Sequence, residues 1–420
     1  MDNRARHRMS RGMGHDSDIL IVGGGLNGAA LALACAQAGL SSTVIDRVPA
    51  EIRGGARFDG RAYSLAAASQ RLLAALGLWD GLAPHAQPIL EIKASDGRAG
   101  EGAAPFFLHF DHAEIEEGPM GYLVEDRHLR QALLAALAAD PLVDHRAPET
   151  VVAQSVSAHR AGVTLDSGAR LEAPLLVGAD GRASGTAARA GIGRTGWDYR
   201  QTALVCAVEH ERPHHGIAHQ FFMPGGPLAI LPLTGNRASI VWSERRELAE
   251  RLGRLDDAGF LAALRPRFGD FLGEIALAGD RYSYPLGLSL ADRLVGERLA
   301  LVGEAAQSVH PIAGQGLNQG LRDIGTLAEV LAEATRRGED IGSATVLERH
   351  RRWRSFDRTA LALATDGFNR LFSNDNPILR LGRDLGMGAI GHLPGLRRRF
   401  IREAAGLAGD VPRLLRGQPL

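Results

Sequence analysis

The stretch from Asp18 to Asp46, DILIVGGGLNGAALALACAQAGLSSTVID, constrains the fold more than any other part of the chain. ILIV is a short unbroken apolar run, which suits a strand covered on both faces of a parallel sheet. Glycines follow, then an apolar helical pattern that stops at Gly39, then a second strand in STVID. The result is a strand–helix–strand unit of about 30 residues. Gly23, Gly25 and Gly28 hold the G-x-G-x-x-G spacing at the strand-to-helix turn. Their expected tasks are a tight turn, close approach of backbone to a pyrophosphate, and close packing of helix on sheet. Asp46 ends the second strand 23 residues after Gly23, where a carboxylate accepts hydrogen bonds from an adenosine ribose. An acid there fits FAD or NAD better than the extra phosphate of NADP, and Arg47 beside it joins the cofactor candidates. The unit reads as a dinucleotide site; the competing reading is glycines that serve the turn alone.

At 420 residues the chain has room for two or three structural units. Helical patterns cover 66–79 and 127–139, the second stopped by Asp140–Pro141. A turn-rich alternating block over 142–180 ends in the buried strand LLVGAD. ALVCAVEH, LAILPL and ASIVW are strand candidates within 200–245, with a hairpin turn after LPLTG. Parallel-sheet character returns at LALVG, residues 299–303, and a long helix follows Gly316. The expected class is α/β with an α+β second domain. A Rossmann-like nucleotide domain is interrupted by an antiparallel-sheet domain, and a helical C-terminal region follows.

Lys plus Arg and Asp plus Glu both number 48, so no net field draws the whole protein onto nucleic acid or an anionic surface. Cys35 and Cys206 are the only cysteines, which excludes a disulfide framework or a cysteine metal cluster; Cys35, in LALACAQAG, reads as a buried thiol. No apolar run reaches the roughly 18–20 residues of a membrane span. The leader, residues 1–16, is basic and lacks an apolar signal core, so the expected location is cytoplasmic. Its Arg4, Arg6, Arg8 and Arg11 fit a disordered leader or an extended start, with an organellar presequence or a nucleic-acid arm as alternatives. From Arg349 the pattern is mostly helical, with breaks at Asn376–Pro377 and Pro394–Gly395. Residues 391–420 hold six arginines and two acids beside Leu393, Leu396, Phe400 and Ile401. That composition fits a docking surface at the inner face of a membrane or on a protein, or else a helix packing one apolar stripe on its own body.

LALVGEAAQSVHPIAGQGLNQGLRDIGTLAEVL, residues 299–331, carries the most specific chemistry. A buried strand delivers Gly303 and Glu304 to its carboxyl end, where ligands bind in open sheets. Glu304 can accept from a sugar-like hydroxyl, Pro311 restricts the backbone, and Gly314 and Gly316 permit close approach to a flat ring. Leu317 and Asn318 open a helix whose free N–H donors suit an anion. This segment resembles a fingerprint of the flavoprotein aromatic hydroxylases, the group of p-hydroxybenzoate hydroxylase, with Gly303–Glu304 in place of the group's Gly-Asp pair. VGADG at 177–181 resembles the group's Asp-Gly fingerprint for FAD and nicotinamide dinucleotide, which implicates Asp180; Ser184 matches, but Ala187 stands where arginine is common. DGRAYSLAAASQRLLAALGLW resembles the stretch that brings an arginine, here Arg61, towards the flavin, and GYLVEDRHLRQALLAAL implicates Arg127, for which a helix-cap role is the alternative. GEAAQSVHPIAGQGLNQGLRD, GPLAILPLTGNRASIVW and FSNDNPILRLGRDLGMG resemble the ubiquinone-biosynthesis branch, and the likeness runs from about residue 17 to the end.

The resemblance implies an FAD domain in three pieces (17–80, 120–190 and 285–345), a substrate domain (81–119 and 191–284) and a helical region (346–420). It implies FAD as cofactor, NAD(P)H or a separate donor as reductant, and molecular oxygen as co-substrate. A flavin C4a-hydroperoxide would hydroxylate a polyprenylated phenol, alongside other ubiquinone-biosynthesis proteins and a peripheral membrane contact; oligomeric state stays open. Hydroxylation of another aromatic substrate, or a non-catalytic flavoprotein scaffold, are the alternatives. His310, beside Pro311, is the candidate acid–base residue, with pocket shaping and structure as competing roles. Tyr63, Phe221, Phe222 and Pro232 are candidates for the substrate pocket, against ordinary core packing for the aromatic residues. His214, His215 and His219 lack the carboxylate spacing of a metal site, and no metal is expected.

Overall fold

Ile19–Val22 lies inside a six-stranded sheet because each of its side chains is apolar and both faces are covered. The computed structural model describes residues 17–100, 102–115, 117–311, 314–372 and 393–420. Among these, the strand order is Val295–Gly296, Leu299–Leu301, Leu175–Gly178, Ile19–Val22, Ser42–Ile45, Val143–Arg146, parallel except at the first pair. Ile19 and Ile21 face the helices Leu26–Gln37 and Gln315–Arg336, which pack on each other. Leu20 and Val22 face a small antiparallel sheet of Val151–Val156, Ala161–Leu165 and Arg170–Ala173, which is the turn-rich block of the sequence. Cys35 sits inside the first helix, where burial pushes its thiol up to about 12.

A nine-stranded sheet forms the second layer system, and its long strands are Arg194–His210, Arg237–Arg245, Gly226–Leu233 and Tyr282–Ala291. Ile217–Met223, Glu91–Arg98 and Gly102–Asp111 extend it, with a parallel pairing between the first two of these. Side chains alternate across a strand. Leu204, Cys206, Phe221, Leu228, Ile230 and Trp242 therefore form one core with the helices Arg246–Gly253 and Asp257–Phe268. Their neighbours Ala203, Val205, Phe222, Ala229, Leu231 and Val241 face a cavity on the opposite side. Tyr282–Ala291 and Gln307–Ser308 hydrogen-bond into this large sheet, on either side of Leu299–Leu301 in the parallel sheet. The chain thus crosses between the two sheets at the segment rich in candidate residues.

Expected helices appear with shifted ends. Gly77, at φ +75°, ends a helix that covers Ala67–Ala75 rather than 66–79, and Asp126–Ala139 forms as expected. Pro394, expected as a break, opens the Pro394–Ala404 helix, since a residue without N–H is tolerated in a first turn. Asn376–Pro377, Leu396 as a side chain and the leader lie outside the described residues. The tail packs on the body: Ile401, Ala405, Leu414 and Leu415 are buried, and the Arg413 N–H donates to Glu329.

Candidate active site

The first glycine turn is built from its own neighbours. Gly23 has φ +103°, and a Cβ there would lie 2.5 Å from the Ala179 carbonyl oxygen; a Cβ on Gly28 would lie 1.8 Å from the Gly23 oxygen. Both glycines are required by the fold itself. Gly25 differs, for a Cβ there would meet nothing closer than Arg53 at 3.8 Å. Gly25 caps the Leu26–Gln37 helix without a side-chain hydrogen bond, and no acid occupies the first turn. Buried Asp46 accepts from the Gly24 N–H at 2.6 Å, from the Val48 N–H at 2.8 Å and from Arg53. Arg47 is exposed. Asp180 holds its own turn, accepting from Ser184 and Thr186.

The second turn is held by residues distant in sequence. Gly303 has φ +62°, and its N–H donates to Asp323 at 3.0 Å. Asp323 is buried and pairs with fully buried Arg354 at 2.6 Å; Arg354 also donates to Gln319. Arg194 donates to the Ala305 and Glu304 carbonyls, and Arg358 to those of Ala306 and Ala291. Three arginines and an aspartate outside the loop thus fix its backbone, and none was singled out in the sequence. Gly314 caps the Gln315–Arg336 helix at φ +63°, again without a side-chain cap or a first-turn acid. Asn318 spans the gap to the Ala62–Ala66 strand: its amide donates to the Ser64 and Gly314 carbonyls and accepts from Ala66 and Ser69. A Cβ on Gly316 would meet nothing within 4 Å.

A cavity of about 1720 Å³ runs from this loop along the open face of the large sheet. Glu304, Pro311, Gly314, Gly316, Leu317 and Asn318 line one part of it, with Arg61 and Tyr63. Arg61 is held by Asp59 and Asp126 and lies over the Tyr282 ring, so its charge is compensated. Burial pushes the Tyr63 phenol above its ordinary range. Arg127 is not on the wall; it pairs with Glu125 and stacks on Phe58. Phe222 is on the wall, but Phe221 and Pro232 are not, because alternation turns Phe221 into the core on the far side. His310 also turns away from the cavity that its neighbours Val309 and Pro311 line. It is fully buried against the Tyr199 ring, neither ring nitrogen has a hydrogen-bond partner among the described residues, and burial pushes it down to about 4. Shielded from solvent and off the cavity wall, the imidazole sits here as a packing group, which supports the pocket-shaping or structural reading over proton transfer. His214 bonds the Leu233 and Gly235 carbonyls, and His219 packs against Phe271.

Two helices with uncapped, acid-free N-termini and a glycine facing open space at each, Gly25 and Gly316, fit a dinucleotide that carries phosphate at one end and a flat anion-accepting ring at the other. This fold and site define a flavin-binding enzyme. Residues 16–356 match the family described as FAD binding domain, and the chain belongs to it, within the FAD-dependent aromatic monooxygenases. It is 47% identical to the ubiquinone hydroxylase UbiL of Rhodospirillum rubrum over 96% of this chain and 94% of that one. It is 36% identical to the 3-demethoxyubiquinol 3-hydroxylase of Escherichia coli over 93% of this chain and 99% of that one. The fold matches p-nitrophenol 4-monooxygenase PnpA of Pseudomonas putida at a TM-score of 0.78 and 20% identity, covering 95% of this chain and 100% of the other.

Proposed function

We propose that this protein hydroxylates the aromatic ring of a prenylated phenol in ubiquinone biosynthesis, using FAD, molecular oxygen and electrons from NAD(P)H or a separate donor. The observation that carries the reading is the single cavity that joins the Gly303–Asn318 loop to an apolar wall of Ile92, Leu108, Phe110, Phe222 and Leu231. Ring and lipid tail would share that space, with the names of the two relatives supporting the substrate class. Bound FAD supplies the oxygen chemistry. The chain's own residues hold and shield: Gly23, Gly25 and Gly28 admit the pyrophosphate, with Asp46 and Arg47 at the adenosine. Gly303, Glu304, Pro311, Gly314, Gly316, Leu317 and Asn318 shape the flavin end, and Arg61 positions the ring. Tyr63 and Phe222 contact the substrate in this reading, whereas Asp180 and Arg127 act through the turns they hold. The domain division of the sequence reading belongs to the proposal, with Tyr282–Ala291 counted on the substrate side.

The test is anaerobic reduction of the FAD-loaded protein, followed by oxygen in the presence of prenylated phenols differing in ring substitution. Mass analysis should show one added oxygen at a defined ring carbon. Reduced flavin that is reoxidised without any hydroxylated product across the panel would reject the reading.

A further inference from the structure

Strand register across the middle of the large sheet sets Val205, Val241, Ala229, Gln220, Ala94 and Leu108 in one row, each directly beside the next. All six line the cavity, and Gln220 alone among them can form side-chain hydrogen bonds. Alternation along Ile217–Met223 places Ala218 and Phe222 on the same face as Gln220. His219 also touches the cavity, but its ring packs against those of Phe221 and Phe271. Among the described residues, Gln220 is therefore the one amide that the sheet turns into this space. Ala229 lies beside it on one side and Ala94 on the other, and neither has a side chain beyond Cβ to cover the amide. No described residue hydrogen-bonds to it.

What enters the cavity decides the fate of that amide. A prenyl chain laid over Gln220 would strip water from it and return no hydrogen bond, which is unfavourable. An oxygen on an aromatic ring restores the bond, because the amide donates from Nε2 and accepts at Oε1. Polar and apolar parts of one ligand thus have separate places on the wall. The ring belongs at Gln220, against Phe222. The tail belongs along Leu231, Ile92 and Phe110, two residues on from Ala229, Ala94 and Leu108 in their strands.

We propose that Gln220 is a specificity-determining residue: its amide hydrogen-bonds an oxygen substituent of the substrate ring and fixes which ring carbon is presented for hydroxylation. The inference rests on the prenylated-phenol reading. Its test uses the full FAD-loaded chain, oxidised, and short-chain prenylated benzenes that carry no, one or two ring oxygens as hydroxyl or methoxy groups. Binding is read without turnover, from the change in flavin absorbance on titration. The parent should favour an oxygenated ring over its oxygen-free counterpart by about tenfold. Gln220→Leu should lose about that tenfold for the oxygenated ring and leave the oxygen-free one unchanged. Phe222→Leu, on the same face, should weaken every member alike. Retained FAD and near-ultraviolet circular dichroism check the fold of each variant. In turnover, Gln220→Leu should place oxygen at more than one ring carbon. Equal loss across the panel makes Gln220 a mere wall group and overturns the proposal, as does a variant that binds every member as the parent does. Tighter binding of all members by Gln220→Leu puts the tail over this residue and overturns it too. Discrimination that depends on Gln220, with no hydroxylated product from the parent, rejects the hydroxylase reading and leaves ring recognition standing. Hydroxylation without such discrimination does the reverse, and a panel that neither binds nor reacts rejects both.

Discussion

The two glycine turns assigned to the proposed cofactor site are held in different ways. The Gly23–Gly28 turn is shaped by backbone contacts with its own unit and with Ala179, and its aspartate, Asp46, is bonded within seven residues and by Gly24. The Gly303–Gly316 turn depends on Asp323, Arg354, Arg358 and Arg194, which reach it from two other helices and from the large sheet. The first is therefore a local motif, and the second is an assembly point. Flavin-end geometry should respond to changes far away in the chain, and adenosine-end geometry should not.

Arg354→Leu breaks the comparison hardest. It leaves the buried Asp323 carboxylate without its cation, a loss worth about 3–5 kcal/mol. Chemical denaturation should show that loss, and FAD fluorescence titration should show weakened binding. The double change Asp323→Leu, Arg354→Leu should recover part of the stability, since no charge is then stranded, but not the flavin affinity, since Gly303 has lost its acceptor. Recovery of both would remove Asp323 from the loop's support.

Gly28→Ala tests the local turn. A methyl group 1.8 Å from the Gly23 oxygen meets backbone, which cannot swing aside. A cost of about 3 kcal/mol is expected, the upper end of ordinary overpacking, again read by denaturation. Here no second substitution elsewhere should rescue, because the obstacle is the turn itself. A stable Gly28→Ala protein with normal FAD affinity would contradict the packing described.

Acid should loosen the flavin side next. His310 beside its loop and His350 one turn from Arg354 are fully buried without hydrogen-bond partners, and burial pushes them down to about 4 and about 3. The unfolded chain takes up these protons near pH 6.5, before the folded one does. Stability is thus full above that pH and is lost as pH falls towards 4, by about 2 kcal/mol per histidine at pH 5. His350→Leu should flatten the decline between pH 6.5 and 5 in melting experiments. His145, beside Asp46 at the other end, is lowered by burial too, but it is only half-buried.

What could be read in the sequence follows the same division. The first turn was legible because strand, glycines, helix and acid are contiguous, and the Gly303–Asn318 loop because its cavity-lining residues form one run. Its supports were not legible, since RHRRWRSFDR around Arg354 has the composition of a solvated helix face. Phe221 and Phe222 show a second limit. Both faces of their strand are apolar, so nothing in the pattern fixes which one meets the cavity. His310 illustrates a third: proximity to a motif in sequence says nothing of the direction in which an imidazole points.

The smallest expected effect separates two kinds of glycine within one turn. Gly303 serves the protein, since a Cβ there would lie 2.2 Å from the Asn27 amide. Gly316 has no such neighbour within 4 Å among the described residues and lies inside the Gln315–Arg336 helix, where alanine is favoured over glycine by about 0.5–1 kcal/mol. Gly316→Ala should therefore raise the melting temperature of the FAD-free protein slightly. The same methyl group projects into the cavity, so FAD affinity should fall if the ring sits there as proposed. Stability and affinity moving in opposite directions would show that this glycine is kept for the ligand. If both rise, the flavin does not approach the helix start at Gly316, and the ring must lie further along the cavity.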